Sequence, residues 1–450
     1  MTTRALAAFT ASLQFADLPA TTVQKAKCLL LDGIGCLLAG VAAGPGRSAA
    51  EFVRQLESTS AQATVYAGQT RGTVRDAAFV NAMTLYSIGL NDIHKPSVSH
   101  PGACIIPAVL AIGEWRSIGG SDLIAALVAG YEVMGRVGRS VTPSHRERGF
   151  HPTGTYGTFG AAAAAARLFG FAADATANTL GIAGSQAAGL FEFHRDGALT
   201  MIFHAARAAQ NGVEAAMLSS TGLTGPTTVL EGSRGFCRAT SNAFDAAALT
   251  NELGAHYEVD ATSFRPYYGC SSTIPGSGAI AQIMRKLGGC APADVERVLV
   301  RCNPVVANDN ADANPTTLLG ARLSMPFNLS LVLARGDVHT GDVTDEDLHD
   351  ARIRSNLGKV RLEADAAMPR FGCSVTLVLR DGRHGEVAIL SPLGDPGTPL
   401  AWNEVVEKFE RLTRSVIRPG SVPAIAEIVQ HIERADGRIL AQALCESVAA

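Results

Sequence analysis

GFHPTGTYGTFGAAAAAARLFG, residues 149–170, is the stretch whose reading decides the fold. Alanine has the highest helix propensity of any residue and almost no bulk. The run Ala161 to Ala166 therefore predicts a helix pressed tightly against its neighbours. The twelve residues before it carry four glycines and three threonines. They read as a loop whose backbone can come close to a small ligand. His151 stands at the mouth of the helix, where an imidazole can change protonation near neutral pH. GTYGTFG is not a phosphate-binding loop, because no Lys-Ser/Thr closes it and no strand precedes it. The plainer alternative is a tight connector whose histidine caps the helix.

Working outward, residues 1–261 have the same texture. Apolar residues recur at helical spacing over 21–43, 75–91, 103–115, 121–138, 174–189 and 204–222. After about residue 262 the pattern changes. Segments 295–303, 359–365, 373–382 and 384–391 alternate β-branched with polar residues, and Asp381-Gly382 predicts a hairpin over 373–391. Segments 325–336 and 343–357 read as helices, and helical spacing returns from Leu400. The expected fold is mainly α with an α+β lid. Residues 1–261 and 398–450 would make one large helical domain, discontinuous in sequence, with 262–397 as an inserted α+β domain. Clefts between such domains are common ligand sites.

The chain has 450 residues, 47% hydrophobic and 18% charged. That is the balance of a globular enzyme with a large core and more than one domain. A net charge of -3 leaves no electrostatic footprint for nucleic acid. Nine cysteines are scattered singly with no CxxC. They predict free thiols in a reducing cytoplasm rather than a disulfide framework or an iron–sulfur cluster. No signal peptide and no run of ~18 apolar residues is present, so no membrane partner and a cytoplasmic location are expected.

The loop NDIHKPSVSHPG, residues 91–102, brings Asp92, His94 and His100 together. It has no HExxH spacing and no second Cys/His cluster, so no metal is expected. Acid–base chemistry fits better, because it needs only one or two positioned imidazoles. His204 and Arg207 share a helix face, but alanines 205, 206, 208 and 209 around them favour a buried structural role for His204. Arg265, in SFRPYYGCSS (263–272), has the fork that clamps a carboxylate. A hinge arginine on a solvated surface is the alternative. There is no GxSxG, and Cys270 has no recognisable His partner, so nucleophilic catalysis has no support.

Together these segments resemble the MmgE/PrpD family, which contains 2-methylcitrate dehydratase, cis-aconitate decarboxylase and iminodisuccinate epimerase. The matching elements are AAFVNA (77–82), HPGACIIPAVLAIGE (100–114), GFHPTGTYGTFGAAAAAARLFG (149–170), HAARAAQNGVEAAMLSSTGLTGPTTVLEGSRGF (204–236) and ARLSMPFNLSLVLARG (321–336). The resemblance implies a homodimer and cofactor-free chemistry at a carbon next to a carboxylate, in a pocket between the domains. It implies His100 and His151 as acid/base residues, with Asp92 and His94 orienting or assisting. Arg265, Tyr267, Thr155 and the position of Met201 are implied as substrate contacts.

The chain also departs from the family pattern. Two carboxylates of the family's acidic run fall on Gly89 and Asn91. The lysine before the family's LH-x-G segment is Met201, and the lysine before Pro-Tyr-Pro is Arg265. A charge-assisted hydrogen bond to a carboxylate is worth about 1.5–3 kcal/mol, so losing one cation predicts a substrate with fewer carboxylates than 2-methylcitrate or cis-aconitate. A dehydratase-type lyase is the first expectation. An epimerase is the second, since two imidazoles on opposite faces of one carbon suit inversion. The lost charges also leave open a non-catalytic small-molecule-binding paralogue.

Overall fold

The computed structural model describes residues 2–339 and 343–449, and of residue 196 only the backbone. The chain forms two compact units, Met1–Ser263 with Ala401–Ala450, and Phe264–Leu400. The first is helical and the second is α+β, so the fold is mainly α with an α+β domain.

The alanine helix lies at the centre of the first unit. It runs Pro152–Leu168, and every residue in it is buried. Helices Pro101–Arg116, Gly120–Val141 and Thr200–Ser220 pack around it. The glycine-rich stretch expected as a loop is therefore helical from Pro152 onward. Glycine costs a helix about 1 kcal/mol relative to alanine, which is why the stretch reads as a loop. Packing reverses that preference, because Gly154, Gly157 and Gly160 recur every third residue and strip Cβ atoms from the contact faces. A Cβ at Gly160 would lie 2.8 Å from Met134 Cβ, and one at Gly157 would overlap Cys104 Sγ. Gly157→Ala is thus expected to destabilise the protein by about 1–3 kcal/mol despite its better propensity. Urea unfolding checks this, and Cys104→Ala should recover part of the loss.

The C-terminal segment completes this unit. Helix Trp402–Thr413 packs on Ala20–Gly40. Its Lys408 is buried, ion-pairs with Asp32, and donates to the Leu90 carbonyl at 2.7 Å. A short antiparallel pair, Ile93–His94 with Thr262–Ser263, fixes the loop that carries Asp92. Among the described residues, no single helix is long and apolar enough to cross a membrane.

The second unit is built on a four-stranded sheet in the order Val360–Ala364, Val295–Cys302, Cys373–Leu379, His384–Ile389. The first pair is parallel and the other two are antiparallel. Gly382 turns the last hairpin at φ +88°, a conformation open to glycine. Helices Ile274–Lys286 and Met325–Arg335 share a core with the sheet through Ile280, Ile283, Leu329, Val298 and Leu377. The helix expected over 343–357 divides into a 3₁₀ turn, Asp345–Leu348, and a helix, Ala351–Leu357. The Asp350 side chain accepts from the Arg352 N–H and so caps a fresh helix start.

Candidate functional site

Two His-Pro pairs begin two neighbouring helices. His100 caps Pro101–Arg116 and His151 caps Pro152–Leu168, each with proline in the first turn. The backbone N–H of His100 donates to Thr153 Oγ1 at 3.2 Å, which holds the two starts side by side. The positive end of a helix dipole disfavours an imidazolium at His151.

His100 Nδ1 lies 2.7 Å from the backbone oxygen of Asp92. A carbonyl can only accept, so Nδ1 carries the hydrogen and the neutral ring keeps its lone pair on Nε2. The Asp92 side chain is buried and faces inward. It accepts from the Gly102 N–H at 3.1 Å, the Tyr131 hydroxyl at 2.8 Å and Asn91 Nδ2 at 3.1 Å. Burial raises its pKa, and the bonds from Tyr131 and Gly102 oppose that rise. A Cβ at Gly102 would lie 2.7 Å from Asp92 Oδ1, so glycine is needed there. His94 is completely buried, with Nδ1 2.8 Å from Ser97 Oγ and Nε2 2.8 Å from Glu258 Oε2. Both of its ring nitrogens are engaged. Asp92 and His94 thus frame the loop that aims His100.

His151 is 4% exposed. Its N–H donates to the Gly189 carbonyl at 2.9 Å, its ring meets Phe193 edge-on at 4.9 Å, and its Nδ1 is 3.2 Å from His204 Nδ1. Burial, then the neighbouring His204, His100, His145 and Arg146, hold its pKa well below the ordinary imidazole value. His204 is half-buried, and burial lowers its pKa too. The burial expected for His204 is corrected here: it is half-buried and lines a cavity of about 750 Å³ with Thr158, Gln186, Glu192, Arg207 and Asn211. Ala205, Ala206 and Ala209 are buried, while 204, 207 and 211 share the cavity face. Those three alanines mark one side of the helix, and the other carries His204, Arg207 and Asn211 together with Ala208. That i, i+3, i+7 polar stripe was the sequence signal for His204.

Thr155 is buried, and its Oγ1 lies 2.9 Å from His145 Nε2. His145, which the sequence reading passed over, has its Nδ1 2.9 Å from Thr240 Oγ1. Burial first, then Arg148, lowers the His145 pKa to about 3. Between its unfolded value of about 6.5 and pH 3, the unfolded chain binds a proton that the folded chain does not. Stability from this group is therefore present above 6.5 and falls by about 1.4 kcal/mol per pH unit below it. The melting temperature should drop between pH 6.5 and 4.5, and the drop should be smaller in His145→Gln.

Met201 is half-buried on the Thr200–Ser220 helix and is not among the cavity residues. In the second unit Arg265 is 5% exposed, which removes the solvated-surface alternative. Tyr267 is also buried, donates to the Ile274 carbonyl at 3.2 Å and lies against the His339 ring at 6.0 Å. Among the described residues, no three His, Cys, Asp or Glu side chains group as a metal site requires.

The MmgE/PrpD N-terminal domain matches residues 4–248 and the MmgE/PrpD C-terminal domain matches residues 269–434. The chain is similar to a cis-aconitate decarboxylase of Aspergillus terreus, 30% identical over 450 residues that span 93% of this chain and 90% of that one. It is 27% identical to cis-aconitate decarboxylase-like protein oryM of Aspergillus oryzae, over 94% of this chain and 92% of that one. It is 26% identical to human cis-aconitate decarboxylase, over 94% and 89%. With both family domains matched in order along most of its length, the chain belongs to the MmgE/PrpD family.

Proposed function

We propose that this protein is a cofactor-independent lyase of a small organic acid, working by proton transfer at a carbon next to a carboxylate with His100 and His151 as the acid/base pair. The observation that carries this reading is the Nδ1–H of His100 bound to the Asp92 carbonyl at 2.7 Å, which fixes the ring and puts the lone pair of its neutral form on Nε2. Elimination needs such a base, and an acid for the leaving group. His100 Nε2 takes the proton from the carbon, the C–H electrons form the double bond, and hydroxide leaves with a proton from His151 Nε2. Neutral imidazoles held by burial and a helix start are known to act as such donors. Arg265 is the proposed carboxylate-binding residue. The uncharged Met201 favours a substrate with fewer carboxylates than a tricarboxylate.

A second reading, decarboxylation, is favoured by the names of the relatives. There the C–C electrons stay on the carbon as CO₂ departs, and a proton donor quenches them, so His100 is not required as a base.

A thermal-shift screen over small mono-, di- and tricarboxylates tests the proposal, followed by assay of the stabilising acids for water loss and for CO₂ release. A ligand at a hundred times its Kd adds about 2.7 kcal/mol of stability. Absence of both stabilisation and product across the set would overturn the lyase reading. Rapid turnover of 2-methylcitrate or cis-aconitate would overturn its substrate part.

A further inference from the structure

We propose that His204 is a positioning residue that feeds protons to His151, the two rings forming one tautomerically coupled pair across their Nδ1 atoms. The inference builds on the lyase reading, and its deciding measurement needs no turnover.

The geometry imposes the coupling. The two Nδ1 atoms are 3.2 Å apart. Two lone pairs facing each other at that distance repel, and two N–H groups clash, so one ring donates and the other accepts. In the neutral pair, the ring with Nδ1–H has a bare Nε2, and the ring with a bare Nδ1 has Nε2–H. The two outer nitrogens therefore carry opposite roles, one base and one acid. Moving the shared proton across the Nδ1 contact exchanges those roles.

Burial gives the pair a direction. His151 is 4% exposed and is not among the residues that line the cavity, whereas His204 is half-buried and does line it. His204 thus stands between His151 and the cavity. The backbone is shaped for this approach. A Cβ at Gly154 would lie 2.8 Å from His204 Cβ, and one at Gly189 would lie 3.3 Å from both His151 Cβ and His204 Cγ. Any larger residue at 154 would force the rings apart. Burial disfavours the charged form of both rings, and Arg146 adds to this at His151; Arg207 and Glu192 are the charged residues that line the cavity with His204. His100 and His145 are the other imidazoles whose charge His151 senses.

The proton count closes. His151 gives its Nε2 proton to the departing hydroxide, its Nδ1 takes the proton from His204 Nδ1, and His204 Nε2 takes one from solvent in the cavity. The proton that His100 removed from carbon is released to solvent afterwards, so one proton enters and one leaves during elimination. To reset, a solvent proton that enters with the next substrate reaches His151 Nε2, its Nδ1 proton returns to His204 Nδ1, and His204 Nε2 gives one back to the cavity, so two protons enter and two leave over the full cycle.

Heteronuclear NMR of the histidine-ring nitrogens tests the pair in the wild-type protein at neutral pH. Signals are assigned by their loss in His151→Gln and His204→Gln. The expected result is that one of the two rings is in the Nδ1–H form and the other in the Nε2–H form, and that His204→Gln shifts the His151 nitrogens. Two Nε2–H rings titrating independently would overturn the proposal. Against a substrate identified by the screen above, His204→Gln should lower kcat by roughly 10²-fold with KM little changed and should alter the pH profile. An unchanged kcat and pH profile would also overturn the relay, because glutamine can still hold the His151 ring in place. Coupled rings without turnover of any small acid would instead overturn the lyase reading and leave the pairing standing.

Discussion

His100→Gln is expected to lower kcat for water elimination by roughly 10²–10⁴-fold, the usual contribution of a positioned general base. Glutamine is chosen because its amide can still donate to the Asp92 carbonyl that the histidine ring now binds at 2.7 Å. The helix start and the Thr153 contact use the backbone of residue 100, so the fold should survive with an unchanged melting curve. What is lost is the lone pair on Nε2. Incorporation of solvent deuterium at the carbon next to the carboxylate should stop in parallel with turnover. Full elimination activity in this variant would remove His100 from the mechanism. Retained CO₂ release with lost exchange would favour the decarboxylase reading, which asks only for a proton donor.

Lys408→Met is expected to cost about 3–5 kcal/mol of stability, because it removes a buried cation from beside a buried carboxylate. Lys408 and Asp32 are both 2% exposed and face each other across the contact between Trp402–Thr413 and Ala20–Gly40. Pairing the change with Asp32→Leu should recover most of the loss, since a buried ion pair is often replaceable by apolar side chains of similar volume. Lys408 also donates to the Leu90 carbonyl, two residues before Asp92. The double variant should therefore regain stability without regaining full activity, because the loop that aims His100 has lost an anchor. Urea unfolding of the single and double variants measures the first effect. A loss under about 1 kcal/mol in Lys408→Met would mean the pair behaves like a surface ion pair.

Much of this architecture is legible in residue order. The hairpin over 373–391 follows from β-branched alternation around Asp381-Gly382, and the strands and Gly382 turn lie there. Helical spacing in 21–43 and 121–138 yields Ala20–Gly40 and Gly120–Val141. His100 stands out because Pro101-Gly102 follows it into an apolar helix, and His151 because it sits in the glycine-rich stretch before the alanine run, signals carried by adjacent residues. Two other features were not legible. TGTYGTFG reads as loop because glycine weakens an isolated helix, and its helical state depends on Cys104 and Met134, which lie in other helices. His204 reads as core filler because alanines flank it, and its neighbour His151 is 53 positions away.

The sequence by itself determined the helical and α+β segments, the helix start after His100 and the loss of charge at Met201, because propensity, periodicity and residue chemistry are local. Only the tertiary structure decided that His100 keeps its lone pair on Nε2, that Asp92 and His94 face inward, and that His151 meets His204 across 3.2 Å. Those outcomes depend on which atoms distant parts of the chain bring within hydrogen-bond reach, and on how completely burial removes water from them.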